Sequence, residues 1–170
     1  MPLPHLRYLH GFGSGPKTEK GTELGKRLAG ECASYVIPDL EAGNFRSLTM
    51  DLMRQRALAS CPHDVPVVLI GSSLGGYLAA LIAATRALPN LAGVVLIAPA
   101  FGFPQRWQRI LGDDGIAAWR SSGVRHFFHH GEQRELPLGY TFLQSCIALP
   151  DLPGDPAVTT AVIHGRADDT

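Results

Sequence analysis

Three short segments of this 170-residue chain hold residue types suited to covalent chemistry. The first is Gly71-Ser72-Ser73-Leu74-Gly75, a serine set between glycines. A nucleophile on a sharp turn from strand to helix crowds its neighbours, so small flanking residues leave its hydroxyl exposed. The helix that follows aims backbone N–H groups and the positive end of its dipole at the reacting centre. Ser73 is therefore the candidate nucleophile for acyl transfer, and the Leu74 N–H is one candidate oxyanion donor. The second segment, His10-Gly11-Phe12-Gly13, ends the first apolar run. Its loop can supply the other donor, Phe12 being the first choice and Gly13 the second. Candidate substrate contacts are His10, Gly11 and Gly13, although a turn residue bonded to nearby backbone is the better reading of His10. The third segment, His164-Gly165-Arg166-Ala167-Asp168-Asp169, follows the last apolar run. A carboxylate at the carboxyl end of a strand can orient a histidine through its Nδ1–H, with Asp168 ahead of Asp169.

The elements that must position these residues are legible as apolar runs alternating with helical patterns. Strands are expected at Leu6–Leu9, Tyr35–Ile37, Val67–Ile70, Val94–Ile97 and Ala161–Ile163. Helices are expected over 17–29, over 48–58 with Ser47 as N-cap, and over 74–88. Strands apolar on both faces, alternating with helices, imply an α/β fold with a mostly parallel sheet covered on both sides. The elbow then stands where its chemistry needs it, between the strand ending at Ile70 and the helix opening at Leu74.

From Phe101 to Pro156 no strong strand pattern shows, and Trp107, Trp119 and His126-Phe127-Phe128-His129-His130 fall inside. The stretch is too long for a plain loop, so short helices forming a cap over the active site are expected. Tyr77, Phe101, Phe103 and Trp107 are candidates to line an acyl pocket, with core packing the more ordinary role for such rings. His126, His129 and His130 near Glu132 are too loosely spaced for a metal site and read as polar cap surface.

Taken together, Leu9-His10-Gly11-Phe12-Gly13-Ser14 with Pro16-Lys17, the elbow Gly71-Ser72-Ser73-Leu74-Gly75-Gly76 and the late His164-Gly165-x-x-Asp168 resemble the small bacterial α/β-hydrolase esterases, the YqiA-like subgroup in particular. The resemblance spans residues 9–169. It implies Ser73 as nucleophile, Asp168 as triad acid, the N–H groups of Phe12 and Leu74 as oxyanion hole, and hydrolysis of carboxylic esters without a cofactor. In this fold the triad histidine follows the acid. None of the seven histidines follows Asp168, so a single domain over 1–170, incomplete at its C-terminus before the base, is expected.

Composition narrows the alternatives. Fifteen Lys+Arg against fifteen Asp+Glu argue against nucleic acid as the main partner, leaving a small-molecule ester as the expected one. No apolar run reaches membrane-spanning length, and the amino-terminal residues lack the pattern of a signal peptide. Cys32, Cys61 and Cys146 are scattered and suit free thiols in a reducing cytoplasm. Two competing readings are a non-catalytic hydrolase-like protein and a nucleotide-binding domain using the Gly11–Gly15 loop. The second would place a ribose contact near Glu31 or Asp39, but Pro16 stands where the third glycine is required.

Overall fold

Runs of Val, Ile and Leu pair here because β-branched side chains pack well on a pleated, buried surface. A computed structural model describes residues 3–166. In chain order the elements are β1 (His5–Leu9), α1 (Glu19–Arg27), β2 (Ser34–Val36), a single 3-10 turn (Phe45–Ser47), α2 (Met50–Ala59), β3 (Val67–Ser72), α3 (Leu74–Ala84) and β4 (Leu91–Ile97). They continue with α4 (Phe103–Ser122), β5 (Val124–His129), β6 (Arg134–Gly139), α5 (Tyr140–Ile147) and β7 (Thr159–Ile163). Five strands form one sheet in the order β2-β1-β3-β4-β7, with every neighbouring pair parallel. Parallel neighbours need crossovers, which α1, α2 and α3 supply among the first four strands and the segment from α4 to α5 supplies between β4 and β7.

Helix α3 is buried at every position from Leu74 to Ala83, as an all-apolar helix must be. It joins β3, β4 and the insertion through one core that contains Leu9, Leu69, Leu78 and Ile82 together with Trp107, Trp119 and Phe142. On the opposite face of the sheet, Leu6, Tyr8 and Ile70 pack against Leu24 and Leu28 at α1. The expected cover on both faces fails at one edge. All five residues of β7 are exposed, Val162 at 59% and Ile163 at 57%, and among the described residues β4 is its only partner.

Other expectations also need correction. Thr49, not Ser47, caps α2, its side chain accepting the Leu52 N–H at 3.2 Å, while Ser47 closes the preceding 3-10 turn. The insertion is not wholly helical. After α4, which bends at Gly112 (φ 66°, ψ 171°), it forms the antiparallel hairpin β5–β6, with Val124 opposite Gly139 and His129 opposite Arg134. It lies at the carboxyl end of β1, where Gly131 N–H donates to Gly13 O at 3.3 Å.

Candidate active site

Ser73 links β3 to α3 with φ 52° and ψ −119°, the geometry of the first central position of a type II′ turn, where glycine is usual. Four backbone hydrogen bonds hold it there. Its N–H donates to Ile97 O at 3.0 Å, and its carbonyl accepts from Gly76, Tyr77 and Ala100. The flanking residues Ser72 and Leu74 are buried, yet Ser73 is exposed. Close approach explains the glycines. A Cβ on Gly71 would stand 2.2 Å from Gly75 O, and one on Gly75 would stand 2.0 Å from Leu9 O. No other side chain fits either position.

The loop after β1 runs beside the serine, the Cβ position of Gly11 lying 3.4 Å from Ser73 Cβ. His10 is fully buried beneath it. The Leu40 N–H donates to its Nε2 at 3.3 Å, so the ring hydrogen sits on Nδ1 and donates to Gly11 O at 3.0 Å. Burial pushes its pKa down, which keeps the ring neutral. Both nitrogens are thus spent on backbone. Phe12 turns its ring into the insertion, 5.2 Å from Trp107, 5.5 Å from Phe142 and 5.8 Å from Phe127, with Phe45 at 5.4 Å on the other side. Among the described residues, neither the Phe12 nor the Leu74 amide has an acceptor. The Gly11–Pro16 loop passes from Ser73 to the hairpin, and α1 begins only at Glu19.

The aromatic candidates divide. Phe103 and Trp107 belong to the packed cluster around Phe12, with Trp107 stacked on Phe127 at 4.7 Å. Tyr77 is buried on α3 and donates its hydroxyl to Pro150 O at 2.5 Å, burial pushing its pKa up to about 12. Phe101, 37% exposed, meets the Tyr77 ring edge-on at 6.3 Å. His164 follows β7 on an exposed segment, and Asp168 and Asp169 lie outside the described residues.

One pair escaped the sequence reading. His126 and His130 are exposed as expected of cap surface, but His129 is only 5% exposed. Its Nδ1 accepts the Glu132 N–H at 3.1 Å, so Nε2 carries the hydrogen and donates to Glu41 Oε2 at 2.5 Å. Burial pushes the Glu41 carboxyl up, against the opposing pull of His129. The second carboxylate oxygen, Oε1, is buried without a hydrogen bond. A separation of 88 residues leaves no local signal for such a pair. Among the described residues no three metal-ligating side chains converge.

A parallel sheet flanked by helices, carrying a strained serine elbow at the carboxyl end of its third strand, defines an α/β-hydrolase fold. Solved structures agree. The chain is similar to mouse alpha/beta hydrolase domain-containing protein 10 (TM-score 0.71, 19% identity, 98% of this chain and 70% of that one). It is similar to Est1E from Butyrivibrio proteoclasticus with bound ferulic acid (TM-score 0.75, 16% identity, 99% and 71%). The esterase domain of a Rhodothermus marinus protein gives TM-score 0.59 at 18% identity, over 99% and 68%. Such identities show a shared fold. Residues 5–170 match the model of UPF0227, an uncharacterised protein family, and the chain belongs to that family. Comparison with curated protein sequences finds no match.

Proposed function

We propose that this chain is a serine hydrolase of carboxylic esters, working through an acyl-enzyme on Ser73. The observation that carries the reading is the elbow itself: an exposed serine at φ 52° between glycines that no larger residue can replace. Backbone strain of this kind costs on the order of 1–3 kcal/mol and persists only where the surroundings impose it. In the reaction, Ser73 Oγ attacks the ester carbonyl and the Leu74 and Phe12 N–H groups receive the oxyanion. Gly13 is the weaker alternative donor, because its amide faces the Glu41 carboxylate. Asp168 orients the base, and water then releases the acid by reuse of that base.

In the triad order of this fold the base follows the acid, so this reading places it after Asp168. His10 and His129 have both nitrogens engaged, and His5 begins β1, at the end of the sheet remote from Ser73. The open face and edge of β7 offer a place for further chain to pack. The esterase domain among the structural neighbours and the ferulic acid bound to Est1E favour esters over other acyl substrates. The test is turnover of p-nitrophenyl acetate and butyrate. Residues 1–170 should give only the residual acceleration left after loss of a triad member, roughly 10³–10⁴-fold over water. Extension by the downstream codons should raise it by orders of magnitude, and Ser73→Ala should abolish the gain. Full turnover by residues 1–170 that disappears in Ser73→Ala would overturn the placement of the base. Full turnover that survives Ser73→Ala would overturn the nucleophile.

A further inference from the structure

Successive peptide planes of the loop after β1 are held by different groups. A trans peptide points its C=O and N–H in opposite directions, so whatever binds one aims the other. The Gly11–Phe12 plane carries the candidate donor, the Phe12 N–H, and His10 Nδ1–H holds that plane from behind through Gly11 O at 3.0 Å. The next plane carries the Gly13 N–H, which is directed at the Glu41 carboxylate. The plane after it is held through Gly13 O, which accepts the Gly131 N–H of the hairpin turn at 3.3 Å. Of these, the middle plane alone answers to a side chain from another part of the fold.

Glu41 is itself firmly placed. It is buried, its carbonyl accepts the Asn44 N–H at 3.0 Å, and its N–H donates to Asp39 Oδ1 at 3.0 Å. Its Oε2 accepts the His129 Nε2–H at 2.5 Å, and His129 is fixed in turn by the Glu132 N–H at Nδ1. No other donor claims Oε1. Burial raises the Glu41 pKa, while the His129 hydrogen bond and the Gly13 backbone contact pull it back. A buried carboxylate is a costly way to join two elements, and here it joins the hairpin to the loop beside Ser73. Gly13 stands at φ 59°, and glycine tolerates more than one orientation of the peptide before it, so an outside acceptor must choose. A free Gly13 N–H would rival that of Phe12 for the oxyanion. We propose that Glu41 is a positioning residue for the oxyanion hole: its carboxylate, braced by His129, takes the Gly13 N–H and leaves the Phe12 N–H as the donor. This role rests on the serine hydrolase reading, since acyl transfer at Ser73 is what needs the donor.

The test compares Glu41→Gln, His129→Ala and His129→Gln with the parent chain, by p-nitrophenyl butyrate turnover and by ¹H–¹⁵N spectra. Residual turnover suffices, because binding and the oxyanion hole are what supply it when a triad member is absent. In the parent, the Gly13 amide proton should stand downfield of the ordinary glycine range, since its acceptor is charged. A glutamine at position 41 offers one acceptor where two donors need one each. Glu41→Gln should therefore move the Gly13 amide upfield, shift the Phe12 amide with it, and lower kcat about tenfold with KM within about twofold, as a misplaced donor would. His129→Ala should lower kcat severalfold. His129→Gln, whose side-chain amide keeps a donor near the place of Nε2, should restore most of that loss, and this pair decides the matter if Glu41→Gln does not fold. An unchanged kcat in folded Glu41→Gln overturns the proposal, as does a rise in KM alone. So does a parent Gly13 amide in the ordinary range, or His129→Gln no more active than His129→Ala. A parent that turns esters over no faster than buffer fails the hydrolase reading instead, and the Gly13 and Phe12 shifts in Glu41→Gln or His129→Ala then decide whether Glu41 orients the loop.

Discussion

Gly75→Ala sets two effects of opposite sign against each other. Gly75 is the second residue of α3, and alanine at a helical position gains up to about 1 kcal/mol over glycine. Against that gain, the new Cβ would lie 2.0 Å from Leu9 O, 2.5 Å from Leu9 C and 2.6 Å from His10 O. Real Cβ atoms essentially never come within 3.0 Å, so the closest contact is short by about 1 Å. The obstacle is backbone of β1 and cannot rotate aside as a side chain would. Overpacking by a methylene in a core typically costs about 1–3 kcal/mol, and here the whole elbow must move relative to the sheet. The net expectation is a loss of at least about 3 kcal/mol, a large part of the roughly 5–15 kcal/mol of an ordinary domain.

Urea unfolding of a graded series checks this reasoning. Gly76→Ala meets Gly71 O and Pro99 at 3.1 Å, where a small adjustment suffices. Its crowding and its helical gain should cancel to within about 1 kcal/mol. Gly154→Ala faces open space and should change stability by less than about 0.5 kcal/mol. The order should therefore be Gly75→Ala far below Gly76→Ala, with Gly154→Ala close to the parent. A Gly75→Ala midpoint within about 1 kcal/mol of the parent at unchanged slope would refute the close approach of elbow and strand.

Ser73→Gly should abolish ester turnover while raising stability by about 1 kcal/mol, because glycine takes up φ 52°, ψ −119° without strain; a destabilised Ser73→Gly in the same urea assay would contradict the strained elbow. Phe12→Ala should cost about 3 kcal/mol through its contacts with Trp107, Phe142, Phe127 and Phe45, whereas Phe12→Leu should retain most of the stability. Glu41 has a carboxyl pushed above its ordinary 4.5 by burial, so its contribution is full below that value and is lost as pH rises through the native pKa. Relative to Glu41→Gln, the parent should therefore lose stability as pH rises above about 4.5, measured as the difference in urea midpoints; a parent that gains on that rise refutes the sign.

The parallel sheet and the elbow were legible because their signals are local: short runs of Val, Ile and Leu, and glycines whose spacing a tight turn demands. The hairpin was not. Along β5 the inward residues Phe127 and His129 alternate with outward His126 and Phe128, so aromatic and histidine types occur on both faces and no apolar period shows. Pro137 in β6 argues against a strand in a sheet interior, but a two-stranded ribbon consists of edges and tolerates it. The exposure of β7 was illegible for the opposite reason. Ala161-Val162-Ile163 has the same composition as the buried strands, and only its neighbours decide whether it is covered. The Glu41–His129 pair depends on the same tertiary packing, since the hairpin must first fold back onto the segment after β2.

That packing governs how the candidate oxyanion donor is held. Each residue of the loop from His10 to Gly13 answers to a different neighbour. His10 is fixed by the Leu40 amide, Gly11 by Ser73, Phe12 by the aromatic rings of the insertion, and Gly13 by the hairpin, its Cβ position 3.2 Å from Phe128 O. A donor stabilises an oxyanion to the extent that it is already in place when charge develops. Here the placement comes from sheet, insertion and hairpin together. In the proposed reaction the insertion would act from behind the candidate donor, by clamping Phe12, rather than only by covering a substrate. Replacing Trp107 or Phe127, which stack on each other and meet Phe12 edge-on, should lower the rate constant for acylation at Ser73 even where the fold survives.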